Sequence, residues 1–102
     1  MKVVFEEAFG PLAVIEQVES FEEGVSKANN TRFGLQVGVY TDSVERMKYA
    51  FNECETGAVI INFIPGFRLD NMPYGGIKQS GFGREGIKYA MRDFSEEKLL
   101  IY

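Results

Sequence analysis

Residue types that usually carry chemistry are scarce in this chain. Its 102 residues include no histidine and a single cysteine. A catalytic triad built on histidine and a zinc site built on histidine and cysteine are therefore excluded within this sequence. Chemistry here would depend on carboxylates, on Cys54, on lysine or tyrosine side chains, or on groups that a partner supplies.

Cys54 is the candidate nucleophile, but its neighbours in the sequence do not favour that role. It continues the helical spacing of Met47 and Phe51, which is typical of a residue that packs in a core. The carboxylates of Glu53 and Glu55 flank it and would raise the pKa of the thiol, whereas a nucleophile needs a lowered one. We interpret Cys54 as a structural residue.

Two carboxylates and an aromatic ring precede the first apolar run of the chain. Glu6 and Glu7 are followed closely by Phe9, and then by Gly10 and Pro11. Taken by residue type alone, this segment is most simply interpreted as an exposed acidic stretch with one anchoring ring.

Arg68 lies near Asp70 in a later loop, and the residues alone leave three interpretations open. The two side chains could form an ion pair. Arg68 could instead bind an anionic group of a substrate through its bidentate guanidinium. A solvated loop arginine is the simplest of the three.

The glycine-rich loop, residues 71–86, contains five of the eleven glycines. Glycine at that density indicates tight turning or close approach to another group, and such loops often carry function. Residues 81–86 also match the G-x-G-x-x-G pattern of dinucleotide sites, which requires a strand directly before it. Residues 74–80 have a loop composition, so we favour a tight turn that opens a helix and rank an independent dinucleotide-binding domain last.

Alternating strand and helix signals predict the fold class. N-terminal caps at Ser20 and Asp42 predict two helices, the second of them ended by a C-cap at Gly57. A third helix is predicted over residues 84–94. Strands are predicted at residues 12–18, 35–40, 58–61 and 98–102. The order predicts a small three-layer α/β unit, with a β-α-β-α-β parallel sheet, the glycine-rich loop, a helix, and a C-terminal strand that pairs between subunits.

Composition restricts the classes of protein that fit. An apolar fraction of 45% is that of a globular chain, and we treat residues 1–102 as one domain. The net charge of −4 argues against a nucleic-acid partner, and the apolar runs are too short for a membrane span. An acidic N-terminus and a single cysteine predict a cytoplasmic protein. We give no weight to the Asn29-Asn30-Thr31 match to a glycosylation pattern.

An ordered set of motifs resembles the C-terminal part of the aldehyde dehydrogenase superfamily. The matching segments are residues 6–11, 28–31, 33–35, 57–62, 73–81, 83–86 and 98–102. Together they cover nearly the whole chain from Phe5 onward, and their combination is more specific than any one of them.

The resemblance implies oxidation of an aldehyde to a carboxylic acid with NAD or NADP. In that family a cysteine thiolate attacks the aldehyde, hydride passes to the nicotinamide, and water activated by a glutamate releases the acid. The family's E-x-F-G-P motif falls on Glu7, Phe9, Gly10 and Pro11. The resemblance implies that Glu7 binds the hydroxyls of the nicotinamide ribose and that the ring of Phe9 packs near the nicotinamide.

The same resemblance implies a substrate pocket and partners. Phe63, Arg68 and Tyr74 are the candidates for lining the substrate tunnel, and the run around Arg68 is similar to members that act on small hydroxylated or anionic aldehydes. The closing segment, about residues 95–102, corresponds to the family's oligomerisation strand. The expected partners are a second copy of the chain or the preceding part of such an enzyme.

The chain departs from the family pattern in what it lacks. The Rossmann domain, the catalytic cysteine and the general-base glutamate of the family have no counterpart here, so we predict no catalytic residue and no metal site. We expect residues 1–102 to be a partial domain that binds NAD weakly or not at all and is inactive by itself. The alternative is a non-catalytic oligomerisation or interaction module derived from the family.

Overall fold

The computed structural model of the protein describes residues 2–102. A short 3-10 turn at Lys2–Val4 is followed by three helices and four short strands. In chain order these are α1 (Phe21–Asn29), β1 (Phe33–Gly34), β2 (Gln36–Val39), α2 (Val44–Glu53), β3 (Ala58–Ile61), β4 (Ile77–Lys78) and α3 (Ile87–Asp93).

The centre of the fold is the parallel pair of β2 and β3, joined by α2. Gln36 pairs with Ala58, and the register continues in step to Val39 and Ile61. This part of the predicted parallel sheet is confirmed. A second pair, β1 with β4, is antiparallel and brings the glycine-rich loop against the segment before β2.

Serine caps start the first two helices. Ser20 Oγ accepts a hydrogen bond from the amide of Glu23 at 3.0 Å, as the sequence predicts for α1. At α2 the cap is Ser43, one residue after the predicted Asp42, and its Oγ accepts from the amide of Arg46 at 3.3 Å. The prediction for the start of α1 is therefore confirmed, whereas the predicted cap of α2 at Asp42 is wrong by one residue.

The buried apolar residues lie where the two helices meet the sheet. They are Val25 on α1, Ala50 on α2 and Val39 on β2. The rings of Phe21 and Tyr49 meet edge to face at 6.0 Å between the same helices. A core of this size indicates that apolar burial alone gives the fold limited stability.

The segments predicted as strands at residues 12–18 and 98–102 form no strand within the described part of the chain. The strand at residues 12–18 is therefore wrong, whereas the pairing of residues 98–102 between subunits stays a prediction. A strand needs a neighbour whose backbone completes its hydrogen bonds, and among residues 2–102 neither segment has one. Their apolar side chains are exposed instead, Ile15 to 95% and Leu100 to 83%. The predicted β-α-β-α-β sheet is thus reduced to one parallel pair of strands.

Two predicted boundaries also need correction. The third helix begins at Ile87, later than the predicted residue 84. The C-cap of α2 is Cys54, so the prediction that Gly57 ends this helix is wrong. Gly57 serves close packing, because a Cβ atom there would overlap the carbonyl oxygen of Gly75.

The chain is more extended than a self-contained domain of its length. Its radius of gyration is 17.0 Å, whereas a compact domain of this length has one of about 13 Å. Apolar residues of the helices are also exposed, including Val44 and Phe51 on α2 and Ile87 and Met91 on α3. The apolar faces of these two helices are therefore largely uncovered in this chain. No helix found between residues 2 and 102 has both the length and the apolarity needed to cross a bilayer.

Candidate functional site

An open cleft of about 760 Å³ lies between the N-terminal segment and the strands β1 and β2. Glu6 and Glu7 line one side of it, and Asn29, Thr31 and Ser80 are among the residues of the other sides. It combines a carboxylate wall with polar and apolar groups, as a site for a ligand rich in hydroxyls would.

The two residues predicted to bind the cofactor are placed differently. Glu7 lies on the wall of this cleft. Phe9 lies outside the lining, and its side chain is 96% exposed. The structure therefore positions the carboxylate in a cleft and leaves the aromatic ring free to contact a ligand or another part of a protein.

The loop after β3 begins at Asn62, whose side chain fastens it to the chain after β2. Its Oδ1 accepts from the amide of Thr41 at 2.8 Å, and its Nδ2 donates to the Thr41 carbonyl at 2.9 Å. Asn62 has a positive φ of 56°, a conformation that asparagine tolerates better than most residues. These two hydrogen bonds hold the C-terminal ends of β2 and β3 together at the point where the loop leaves the sheet.

Phe63 lies in this loop and packs against a second ring. The rings of Phe63 and Phe67 meet edge to face, with centroids 5.8 Å apart. Gln36 Nε2 donates to the carbonyl of Phe67 at 3.1 Å and ties the pair to β2. The predicted substrate residue Phe63 therefore lies on an ordered surface, although half of its own side chain is exposed.

The predicted residues Arg68 and Tyr74 are in direct contact. The guanidinium carbon of Arg68 lies 4.4 Å from the centre of the Tyr74 ring, a cation–π arrangement. Arg68 Nη1 is also 3.2 Å from Glu85 Oε2. The ion pair with Asp70, one of the three interpretations that the sequence left open, is not found among the residues described. Arg68 pairs instead with Glu85, which sequence reasoning missed.

Glu85 is held beside Tyr74 by the backbone. The amide of Tyr74 donates to the carbonyl of Glu85 at 3.2 Å, and the amide of Glu85 donates back at 2.6 Å. We call Arg68, Tyr74 and Glu85 the arginine cluster. None of its members lines the cleft of Glu7, and nor does Phe63, so this chain does not bring the two predicted groups into one cavity.

The G-x-G-x-x-G segment, residues 81–86, does not have the geometry of a dinucleotide fingerprint. The strand before it, β4, has two residues and is paired antiparallel to β1, whereas the fingerprint follows a strand of a parallel βαβ unit. Arg84 instead closes the loop on itself, donating from Nη1 to the carbonyls of Gly76 at 3.2 Å and Gly83 at 2.7 Å. The tight turn that we favoured describes the segment better.

A polar network that the sequence did not reveal is centred on Asn29, one of the residues that line the cleft. The side chain of Asn29 accepts from the amide of Glu55 at 2.8 Å and donates to the carbonyl of Glu53 at 2.6 Å. Lys78 Nζ lies 2.6 Å from Glu55 Oε2 and 2.9 Å from the carbonyl of Asn29. The signal available in the sequence was an asparagine at the end of a predicted helix.

Cys54 lies partly buried beside the same cleft. Burial raises the pKa of its thiol, which keeps it protonated and weakly nucleophilic. A raised pKa agrees with the structural role predicted for Cys54. Its cause is desolvation of the thiol, whereas the sequence predicted an effect of the flanking glutamates.

Comparison with known proteins shows the family. The family model "Aldehyde dehydrogenase family" matches residues 1–100. A lactaldehyde dehydrogenase of Methanococcus maripaludis is 46% identical over 93% of this chain and 20% of its own length. A 3-sulfolactaldehyde dehydrogenase of Priestia aryabhattai is 42% identical over 99% of this chain and 21% of its own length. The chain thus spans about a fifth of the curated relatives it matches.

Solved structures of the same family are similar to this chain. Aldehyde dehydrogenase 21 of Physcomitrella patens, in complex with the reaction product succinate, superposes with a TM-score of 0.84 at 47% identity, over 87% of this chain and 18% of that one. A glyceraldehyde-3-phosphate dehydrogenase from Methanocaldococcus jannaschii, complexed with NADP, superposes with a TM-score of 0.71 at 44% identity, over 74% of this chain and 16% of that one. The motifs, the fold and these matches together establish that the chain belongs to the aldehyde dehydrogenase family.

Proposed function

We propose that this chain is the C-terminal catalytic-domain segment of an NAD(P)-dependent aldehyde dehydrogenase that oxidises an aldehyde to a carboxylic acid. It would supply one side of the cofactor pocket and one side of the substrate pocket. The observation that carries the proposal is the match along almost the whole chain to single continuous segments of such enzymes. The exposed apolar helix faces support it, because the remainder of a dehydrogenase would cover them.

Glu7 and Phe9 are the residues we assign to the cofactor. NAD or NADP, when bound, accepts the hydride of the reaction. The carboxylate of Glu7, on the cleft wall, would accept hydrogen bonds from two neighbouring ribose hydroxyls. The exposed ring of Phe9 would confine the flat nicotinamide ring.

The chain by itself should not turn over aldehydes. Its one thiol, Cys54, has a pKa raised by burial, so it does not supply a thiolate nucleophile. The expected partner is therefore a polypeptide that carries the preceding part of the family fold.

A split-enzyme assay tests this proposal. The chain would be co-expressed with a Methanococcus lactaldehyde dehydrogenase truncated before its matching last fifth, and NAD(P)H formation would be followed with lactaldehyde. We expect activity from the pair and from neither part alone. Glu7→Ala should weaken cofactor binding in the pair, while Glu22→Ala, an exposed carboxylate on α1, should not. Turnover by the purified chain alone, or a stable complex without activity, would contradict the proposal.

Arg68 is the residue we assign to substrate choice, with aldehydes that carry a second, anionic group as the preferred class. An exposed guanidinium steadied by the Tyr74 ring can bind a carboxylate or sulfonate through two parallel hydrogen bonds. Support comes from one relative that acts on 3-sulfolactaldehyde and another that holds succinate. In the reconstituted pair, Arg68→Ala should raise KM for anionic aldehydes selectively, and Arg92→Ala, which removes an exposed charge on α3, should not. Equal effects on neutral and anionic aldehydes would contradict this assignment.

The exposed terminal segments favour a second candidate function, a non-catalytic module that associates with copies of itself. Ile15 and Leu100 are 95% and 83% exposed, and uncovered apolar segments of this kind commonly mark contacts between proteins. Light scattering over a range of concentrations tests this candidate. A chain that remains monomeric at high concentration would exclude it.

A further inference from the structure

The ammonium group of Lys78 is bound by three acceptors next to the cleft of Glu7. Its Nζ lies 2.6 Å from Glu55 Oε2, 2.9 Å from the carbonyl of Asn29 and 3.3 Å from the carbonyl of Thr31. An ammonium carries three donors, so these acceptors match them in number. Only 22% of the Lys78 side chain is exposed, and Lys78 is not one of the residues that line the cleft.

This ammonium joins two stretches of the cleft lining that are distant in the chain. Asn29 and Thr31, whose carbonyls accept from it, lie in the first stretch. Gln79 and Ser80 lie in the second stretch and directly follow Lys78. A change at Nζ therefore reaches four residues of the lining, although Lys78 itself is outside it.

The backbone at Lys78 supports the same interpretation. Its φ is 55°, a left-handed conformation that lysine rarely adopts and that surrounding contacts must maintain. Directly after this residue, the amide of Gln79 donates to the carbonyl of Arg32 at 2.9 Å. Ser80 Oγ then accepts from the amide of Gly34, also at 2.9 Å. The contacts of the ammonium thus maintain the turn after which these two hydrogen bonds form.

We propose that Lys78 is a positioning residue for the cofactor: its ammonium holds the two lining stretches in place around the Glu7 carboxylate. This inference rests on the proposed function of the chain as part of an aldehyde dehydrogenase. Glu7 can accept from the hydroxyls of a ribose, but the sugar must also be held against it by the other sides of the cleft. A site whose supporting residues are loose loses affinity even when every contacting group is present.

Amide hydrogen exchange in the complete chain tests whether the ammonium fixes the lining. Lys78→Met keeps a long side chain and removes the ammonium. The amides of Gln79 and Gly34 should then exchange about tenfold faster or more, because their hydrogen bonds open more often. Lys48→Met, which removes an exposed charge from α2, is the matched control and should leave both rates unchanged. Unchanged exchange in Lys78→Met overturns the proposal, and so does equal acceleration in the two variants.

Titration of the reconstituted pair with NADH, followed by the fluorescence of the nicotinamide, tests the effect on the cofactor. Lys78→Met should weaken NADH binding about tenfold, as displacement of a binding group does. It should raise KM for NAD and leave KM for the aldehyde unchanged. Val25→Ala is the control for a merely structural effect, because it removes buried atoms of α1 away from Lys78 and should lower stability without changing NADH affinity. Parent-like affinity in Lys78→Met, or an equal loss in Val25→Ala, overturns the proposal.

The proposed function can fail separately from this inference. If the pair binds NADH with the expected dependence on Lys78 but oxidises no aldehyde, the positioning role stands and the enzymatic assignment falls. If the pair oxidises aldehydes while Lys78→Met binds NADH like the parent, the enzymatic assignment stands and the positioning role falls. A pair that binds no NADH contradicts both.

Discussion

Lys78 Nζ lies 2.6 Å from Glu55 Oε2 and 2.9 Å from the carbonyl of Asn29, so a single ammonium group joins β4 to the ends of α1 and α2. The side chain of Asn29 completes the junction with two hydrogen bonds to the chain at the end of α2. With three apolar residues in its buried core, the described part of the chain depends strongly on such polar junctions.

Asn29→Ala should destabilise the chain by about 1–3 kcal/mol, because it removes the partners of the Glu55 amide and the Glu53 carbonyl. Urea unfolding followed by circular dichroism measures the loss. Asn52→Ala, the same change at an exposed position of α2, is the control and should be neutral or slightly stabilising. Equal stability of the two variants would show that the junction contributes little.

Gly57→Ala should cost about 3 kcal/mol or more, since the added Cβ overlaps the carbonyl of Gly75 and the backbone must move. Gly66→Ala is the matched control, with no heavy atom within 4 Å of its Cβ. It should leave stability unchanged or raise it by less than about 1 kcal/mol. Thermal unfolding of both variants gives the comparison, and a mild effect at Gly57 would argue against the close approach.

The stability of α1 should depend on pH through Glu23. A hydrogen bond from the Glu19 amide, and then the ammonium of Lys27, lower the pKa of this carboxyl from its ordinary 4.5. A lowered folded-state pKa gives stability that is present above pH 4.5 and is lost as the pH falls through the folded-state value.

Thermal unfolding between pH 7 and pH 2 would measure this dependence. Glu23→Gln should flatten the acid side of the curve, whereas Glu22→Gln, in the same helical turn, should keep its slope. A curve for Glu23→Gln that matches the parent chain would contradict the prediction.

Cys54 should react slowly with thiol reagents in the folded chain. Burial raises the pKa of its thiol, so less thiolate is present at a given pH, and access is partly blocked. The rate of reaction with a disulfide reagent at mildly alkaline pH should be below that of a cysteine peptide and should rise in urea. A native rate equal to that of the peptide would show an accessible and ionised thiol.

Local signals in the sequence predicted the local parts of the fold. The serine cap of α1, the parallel pair and the tight turn before α3 each depend on neighbouring residues or on a repeated pattern. The segments 12–18 and 98–102 had the same kind of signal but form no strand within the described chain. An apolar run indicates that a segment will be buried against other residues, but a strand also needs a neighbouring backbone to complete its hydrogen bonds.

The contacts of the candidate site were also predicted only in part, because the sequence reports local relationships and not contacts between distant residues. Arg68 and Tyr74 were selected from one loop by resemblance, and the structure brings them into contact. Their role in binding a substrate stays a prediction. The pairing of Arg68 with Glu85 and that of Lys78 with Asn29 join residues distant in the chain, and the latter two are 49 positions apart. The spacing of residues within one helix or strand cannot predict contacts between residues of different elements.

The hydrogen bonds of Asn62 have a consequence for how this fold can diversify. Its side-chain amide is hydrogen-bonded to the N–H and to the carbonyl of Thr41. A side chain therefore supplies the last rung of the hydrogen-bond ladder formed by β2 and β3. The two hydrogen bonds fix the point at which the loop leaves the sheet, so we expect changes farther along the loop to keep the register of the strands. A loop attached in this way can vary in sequence and length while the sheet stays intact, provided that the asparagine is kept.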